Sequence, residues 1–196
     1  MTADFPVDEE PSAGTIYTVG HSTRSFEELL AVLESAGIEL LVDVRTVPRS
    51  RRNPQFDGGV LADALDDHGL SYWHEPAMGG FRRPARGSLN GGWEHPAFQG
   101  YADHMATQEF AEALDRLQTM ARERPACIMC AEAQWWRCHR RLIADALVIR
   151  GWRVRHLGLR REPTDHELTS FAVTGAEHAL SYPPLQGELI SPTPAR

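Results

Sequence analysis

The residues densest in chemistry in this 196-residue chain form one run: Cys130-Ala131-Glu132-Ala133-Gln134-Trp135-Trp136-Arg137-Cys138-His139-Arg140. Cys130 closes an apolar stretch that reads as a strand, and Cys138 lies where the next helical pattern begins. A helix N-terminus with Arg137, His139 and Arg140 beside it lowers a thiol's pKa, so this placement suits a thiolate nucleophile or a redox partner. Glu132, two residues past the strand, is a candidate general acid or base, or equally a partner for Arg137 or Arg140. A phosphatase-type loop is excluded, because the residue it requires to be arginine is Trp136, and a rhodanese-like loop does not fit either. Cys127 and Cys130 make a C-x-x-C, but an odd separation in a strand points them to opposite faces, so Cys127 is expected in the core. Cys130, Cys138 and His139, with His21 or His74, also form a candidate zinc set, although their spacing matches no finger or ribbon. The sequence assigns no metal residue and leaves the cofactor open.

Other candidates follow the earlier apolar runs. His21, Ser22 and Arg24 follow the first, and Asp43 and Arg45 close the second. His21 is a candidate catalytic group, and Ser22, Arg24, Arg45, His139 and Arg140 are candidate substrate-binding groups. Ser22 has no adjacent acid, so a serine-nucleophile triad has little support. All 20 Lys plus Arg residues are arginine. The absence of lysine removes Schiff-base chemistry and a lysine-dependent phosphate loop. Arginine's planar fork suits phosphate or carboxylate. Arg51, Arg52, Arg82, Arg83 and Arg86 read as solvated loop charge, whereas Arg24, Arg45 and Arg140 lie at strand ends or a helix start, where geometry is fixed. Trp73, Trp93, Trp135 and Trp136 read first as packing.

These groups need elements to position them. Apolar runs at Thr15–Val19, Glu39–Val44, Ser71–His74, Ala126–Cys130 and Arg153–Leu157 are expected strands. The capping box Ser25-Phe26-Glu27-Glu28, with Leu29, Leu30 and Leu33 at helical spacing, predicts a helix ending at Gly37. A second carries Val60, Leu61, Ala64 and Leu65, and a third Phe110, Leu114, Leu117 and Ala121. A fourth runs from about Cys138 to Arg150, with Gly151 as its cap. The alternation predicts an α/β fold: a single compact domain, a mostly parallel sheet of about five strands, and helices on both faces. In such sheets ligands bind beyond the carboxyl ends of the strands, so the loops above should open on one edge.

Residues 1–14 hold four acids and no arginine, and residues 158–196 hold five acids against three arginines together with several prolines. Both are expected to be tails around a domain at 15–157, which is left close to neutral although the whole chain carries a net charge of -7. The N-terminus lacks a basic start and an apolar core, no stretch approaches a membrane span, and three cysteines are too few for a secreted disulfide scaffold. A cytoplasmic location without membrane association is expected.

Several of these residues also carry a resemblance. Gly20-His21-Ser22-Thr23, Asp43-Val44-Arg45 with Pro48 and Ser50, Gly79-Gly80, the segment from Phe98 to Met105, and above all the spacing C-x-E-x5-C-H-R from Cys130 to Arg140 resemble the prokaryotic family catalogued as domain of unknown function 488. The resemblance covers about residues 15–157 and implies a compact α/β domain, with no reaction attached. Taken together, the residues suggest an enzyme whose cationic cleft binds an anionic partner, a phosphate-bearing small molecule, a nucleotide or nucleic acid, and uses a cysteine thiolate. The alternatives are a non-catalytic nucleotide- or nucleic-acid-binding module and a Cys/His metal-binding protein. The overall acidity counts against a long nucleic-acid footprint.

Overall fold

The computed structural model describes residues 13–184. Each expected strand forms, within a residue or two of its expected ends: β1 (Thr15–Gly20), β2 (Leu40–Asp43), β3 (Ser71–His74), β4 (Ala126–Cys130) and β5 (Arg153–His156). Between them lie α1 (Phe26–Ser35), α2 (Gly58–Asp66), α3 (Pro96–Met105), α4 (Gln108–Glu123) and α5 (Arg140–Val148). A short sixth strand, β6 (Thr164–Asp165), pairs antiparallel with β5, giving the order β3-β2-β4-β1-β5-β6 with the first five strands parallel. The fold is the expected single α/β domain, with one strand more in its main sheet than anticipated.

Strand alternation divides the apolar side chains between two cores. Ile16, Val42, Ile128 and Val154 face α3, α4 and α5, while Val19, Leu41, Cys127 and Met129 face α1 and α2. Cys127 is fully buried on the second face and Cys130 belongs to the first, as their odd separation requires. Because β1 leads to α1 on one face and the adjacent β4 leads to α5 on the other, the chain parts at their carboxyl ends. That divergence is what opens a crevice in an α/β sheet.

The helices form for legible reasons. Ser25 Oγ accepts from the Glu28 N–H and the Glu28 carboxylate accepts from the Ser25 N–H, so the capping box holds the start of α1, whose Leu29, Leu30 and Leu33 are buried. In α2, Leu61 and Leu65 face inward but Val60 is exposed. The last helix starts at Arg140, two residues later than expected, because Trp135–Arg137 form a 3-10 turn and Cys138 is extended. α3 was not anticipated: its Gly100 obscures the helical pattern, yet a Cβ there would stand 2.5 Å from the carbonyl carbon of Arg83, so the glycine is needed for loop and helix to touch.

The expectation of a C-terminal tail from residue 158 differs from the structure. Besides β6, a hairpin of β7 (Val173–Thr174) and β8 (Leu180–Ser181) forms, and His166, Thr169 and Tyr182 are buried. The physical reason is a charge: the Asp145 carboxylate of α5 is fully buried and takes its donors from this segment, namely His166 Nε2 (2.9 Å), the Thr169 N–H (2.9 Å) and the Tyr182 hydroxyl (2.8 Å). The acidic residues 1–12 and residues 185–196 lie outside the described residues. Among the described residues no helix is long and apolar enough to cross a membrane.

Candidate functional site

Parallel pairing places Gly20, Asp43, His74, Cys130 and His156 toward one edge of the sheet, and above it lies a cavity of about 630 Å³. His21, Arg45, Cys130, Glu132, Cys138 and His139 all line it. The strand-end reasoning therefore brings six of its nine candidates together.

The two cysteines form the floor. Their sulfurs are 2.7 Å apart, and both side chains are nearly covered. The loop between them is tight because Gly20 has no side chain: a Cβ there would sit 1.9 Å from the Glu132 carbonyl oxygen. Beneath the pair lies Arg140, with 1 % of its surface exposed. Its Nε donates to Cys130 Sγ at 3.0 Å, Nη1 donates to Thr18 Oγ1 at 3.2 Å, and Nη2 donates to the carbonyls of Glu132 and Ala133. Every oxygen in that set is neutral, and among the described residues no carboxylate forms an ion pair with this guanidinium. A buried cation needs an anionic partner, and the groups here that can ionise are the thiols.

The electrostatics follow from that arrangement. Burial raises a thiol, but the hydrogen bond shared with Cys130, the Arg140 charge and the Arg140 N–H at the start of α5 outweigh it at Cys138, whose pKa falls to about 6. Burial and the neighbouring Cys138 drive Cys130 the other way, well above the ordinary thiol value. The pair thus holds one proton between two sulfurs at neutral pH. His139 is beside it, with Nε2 donating to the Val44 carbonyl at 2.9 Å, which leaves the Nδ1 lone pair facing Cys138 Sγ at 3.5 Å. Burial lowers the pKa of this imidazole, so its Nδ1 stays an unprotonated hydrogen-bond acceptor for the thiol form of Cys138. Gly80 closes over the ring; a Cβ there would stand 2.5 Å from Nδ1.

The opposite wall comes from β1 and β2. Arg45 grips Asp43 through Nε and Nη2 and the Phe56 carbonyl through Nη2, and its Nη1 faces His21 Nε2 at 3.4 Å. Tyr72 adds a hydroxyl donor to Asp43. His21 Nδ1 donates to the Ser22 carbonyl, so its Nε2 is an acceptor. Burial and the Arg45 charge hold its pKa down at about 4. Toward the mouth stand Arg49 and Arg137, with Val47, Phe81, Phe98 and Trp136 as apolar walls. Among the described residues neither Arg49 nor Arg137 meets an ion-pair partner.

Three expected site residues lie elsewhere. Arg24 turns away and donates to the carbonyls of Gly20 and Gly158, fastening the end of β1 to the chain after β5. Ser22 is outside the cavity lining and shapes the turn, with φ of 51°. Arg140 is under the thiols, not in the ligand space. Glu132 is at the cavity but exposed, with its carboxylate on the Gln134 N–H, while its backbone N–H donates to Cys130 Sγ at 3.3 Å. Among the described residues no three His, Cys, Asp or Glu side chains gather as a metal set.

A buried relay behind the site was missed. Arg140 donates to Thr18 Oγ1, the Thr18 hydroxyl donates to His156 Nδ1 (2.7 Å), His156 Nε2 donates to His166 Nδ1 (3.0 Å), and His166 Nε2 donates to Asp145. With the protons placed this way, the chain runs polarised from guanidinium to carboxylate. Trp135 stacks on His156 at 4.1 Å. Reading the end of the fifth strand as the first four were read finds His156; nothing local marks His166.

Residues 25–147 match the family model described as Domain of unknown function DUF488, a span that includes Arg45 and the loop from Cys130 to Arg140 but not His21 to Arg24. No curated protein and no solved structure matches the chain.

Proposed function

We propose, from the premise that this chain belongs to the DUF488 family and that membership brings no reaction with it, that the protein is a thiol-dependent enzyme acting on an anionic small molecule. The observation that carries this reading is Arg140: a buried guanidinium, held by neutral oxygens, whose available counter-charge is a Cys130–Cys138 thiolate. Cys138 is the nucleophile, His139 Nδ1 accepts a hydrogen bond from its thiol form, and Glu132 and the start of α5 supply backbone N–H groups to the sulfurs. Arg49 and Arg137 meet the ligand's negative charge at the mouth, Arg45 and His21 offer polar contacts deeper in, and Phe81, Phe98 and Trp136 take a flat or apolar body. A nucleotide fits this division, and so does any aromatic carboxylate or phosphate.

The test is alkylation. Iodoacetamide should label Cys138 in the native protein with a midpoint near pH 6, and a bound anionic ligand should slow labelling. Labelling that begins only in the range of a free cysteine, or none at either thiol, overturns the nucleophile. Ligand binding that survives Cys138→Ser with no turnover by the wild type would favour the binding-module alternative.

A further inference from the structure

We propose that Cys130 and Cys138 act as a dithiol pair that reduces the disulfide bond of an anionic small molecule, with Cys138 attacking and Cys130 resolving. The proposal deepens the thiolate reading above and rests on it. Its geometric basis is the 2.7 Å separation of the sulfurs at the floor of an open cavity. A disulfide bond is ~2.05 Å long, so closing the pair asks for a sulfur movement of well under 1 Å. The sulfur neighbouring the nucleophile therefore reaches any covalent adduct on Cys138 before solvent does. His139, which would have to activate a hydrolytic water, is committed on both sides, to Val44 and to Cys138.

The chemistry balances as two exchanges. The Cys138 thiolate attacks one sulfur of R–S–S–R, forming Cys138–S–S–R and expelling R–S⁻. Cys130 then loses its proton to water in the open cavity, and its sulfur attacks Cys138 Sγ, closing the Cys130–Cys138 disulfide and expelling the second R–S⁻, so that two R–S⁻ and one proton are released in all. The substrate gains two electrons and the pair loses two. An external thiol returns the pair to its reduced form by the same exchanges in reverse. Arg140 sets the poise: a buried cation favours the thiolate, hence the reduced pair, so the Cys130–Cys138 disulfide is readily re-reduced by the external thiol, and the substrate must itself be an easily reduced disulfide whose thiolates are good leaving groups. The cavity is far larger than a peroxide requires, and its cationic mouth and aromatic walls match an acidic R group with a flat body.

The probe is dithiobis(nitrobenzoate), an anionic aromatic disulfide whose released thiolate is coloured, added to the reduced full-length protein in an amount equal to the chain. The expected wild-type result is two thiolates released per reagent consumed, no aromatic adduct by intact mass, and a Cys130–Cys138 link in the non-reduced digest. Cys130→Ser should release one thiolate and keep the aromatic group on Cys138. A wild-type protein that releases one thiolate and retains the adduct overturns the dithiol proposal and leaves the nucleophile standing. A wild-type protein that releases none overturns both, and neither outcome depends on the variant folding.

Discussion

Replacing Arg140 should uncouple the Cys138 thiol from its cation, and the size of the effect decides how it must be measured. Cys138 falls to about 6 from an ordinary thiol value of 9.0. Three pKa units correspond to ~4 kcal/mol of preference for the thiolate. In Arg140→Gln the charge is gone while the Cys130 hydrogen bond and burial remain and pull in opposite senses, so the midpoint should return toward ~8.5. At pH 7 the thiolate fraction would drop ~30-fold. A more basic thiolate is also more nucleophilic, however, and with a Brønsted coefficient of ~0.45 that gain is ~10-fold. The two nearly cancel, leaving about a threefold slower reaction at one pH, which a partly unfolded sample would imitate. The decisive assay is therefore the full pH profile of iodoacetamide alkylation at Cys138, read by peptide mass. Arg140→Gln should move the midpoint up by at least 2 pH units or so, and Arg140→Lys, which keeps the charge but not the fork, should move it much less. An unchanged midpoint in Arg140→Gln would refute the assignment of the thiolate as counter-charge of the buried guanidinium.

Other consequences can be checked by stability. Gly20→Ala places a Cβ 1.9 Å from the Glu132 carbonyl oxygen, a clash with backbone that no rotamer relieves; a loss of at least ~3 kcal/mol is expected in denaturant titrations, and near-wild-type stability would show that the cysteine loop can move. Ending the chain after Leu157 strips Asp145 of His166, Thr169 and Tyr182 and should cost ~3–5 kcal/mol, seen as loss of soluble, cooperatively melting protein. Acid should destabilise the fold through His21 and His156, whose pKa values burial lowers to about 4 and about 2. The unfolded chain takes up these protons below 6.5 and the folded one does not, so stability is fully present above pH 6.5 and falls on the order of 1 kcal/mol per pH unit for each as the pH drops toward 4. Cys138 contributes in the same sense at higher pH: its share is present above 9.0 and is lost as pH falls through about 6. A melting temperature flat between pH 7 and 4 would contradict the neutral, buried assignment of both imidazoles.

Much of this was readable in one dimension. Period-2 and period-3.6 patterns are local, so the strands, the capping box of α1 and the opposite facing of Cys127 and Cys130 follow from spacing alone. Parallel strands share one carboxyl edge, so spacing alone puts His21, Arg45, Cys130, Cys138 and His139 beyond the same edge of the sheet. The roles of the arginines could not. Arg24 and Arg140 sit at strand and helix ends like Arg45, but whether a guanidinium faces ligand, backbone or sulfur depends on which groups surround it in space. The segment after residue 157 has the composition of a tail and packs nonetheless, because it completes the shell of a carboxylate on α5 that lies 21 to 37 residues earlier in the chain. What the sequence determined is the placement of thiols, imidazoles and arginines at one edge of a parallel sheet. The tertiary structure decided that Arg140 lies beneath the thiols with no acid in contact with it among the described residues, and a desolvated cation favours the ionised form of a sulfur it touches.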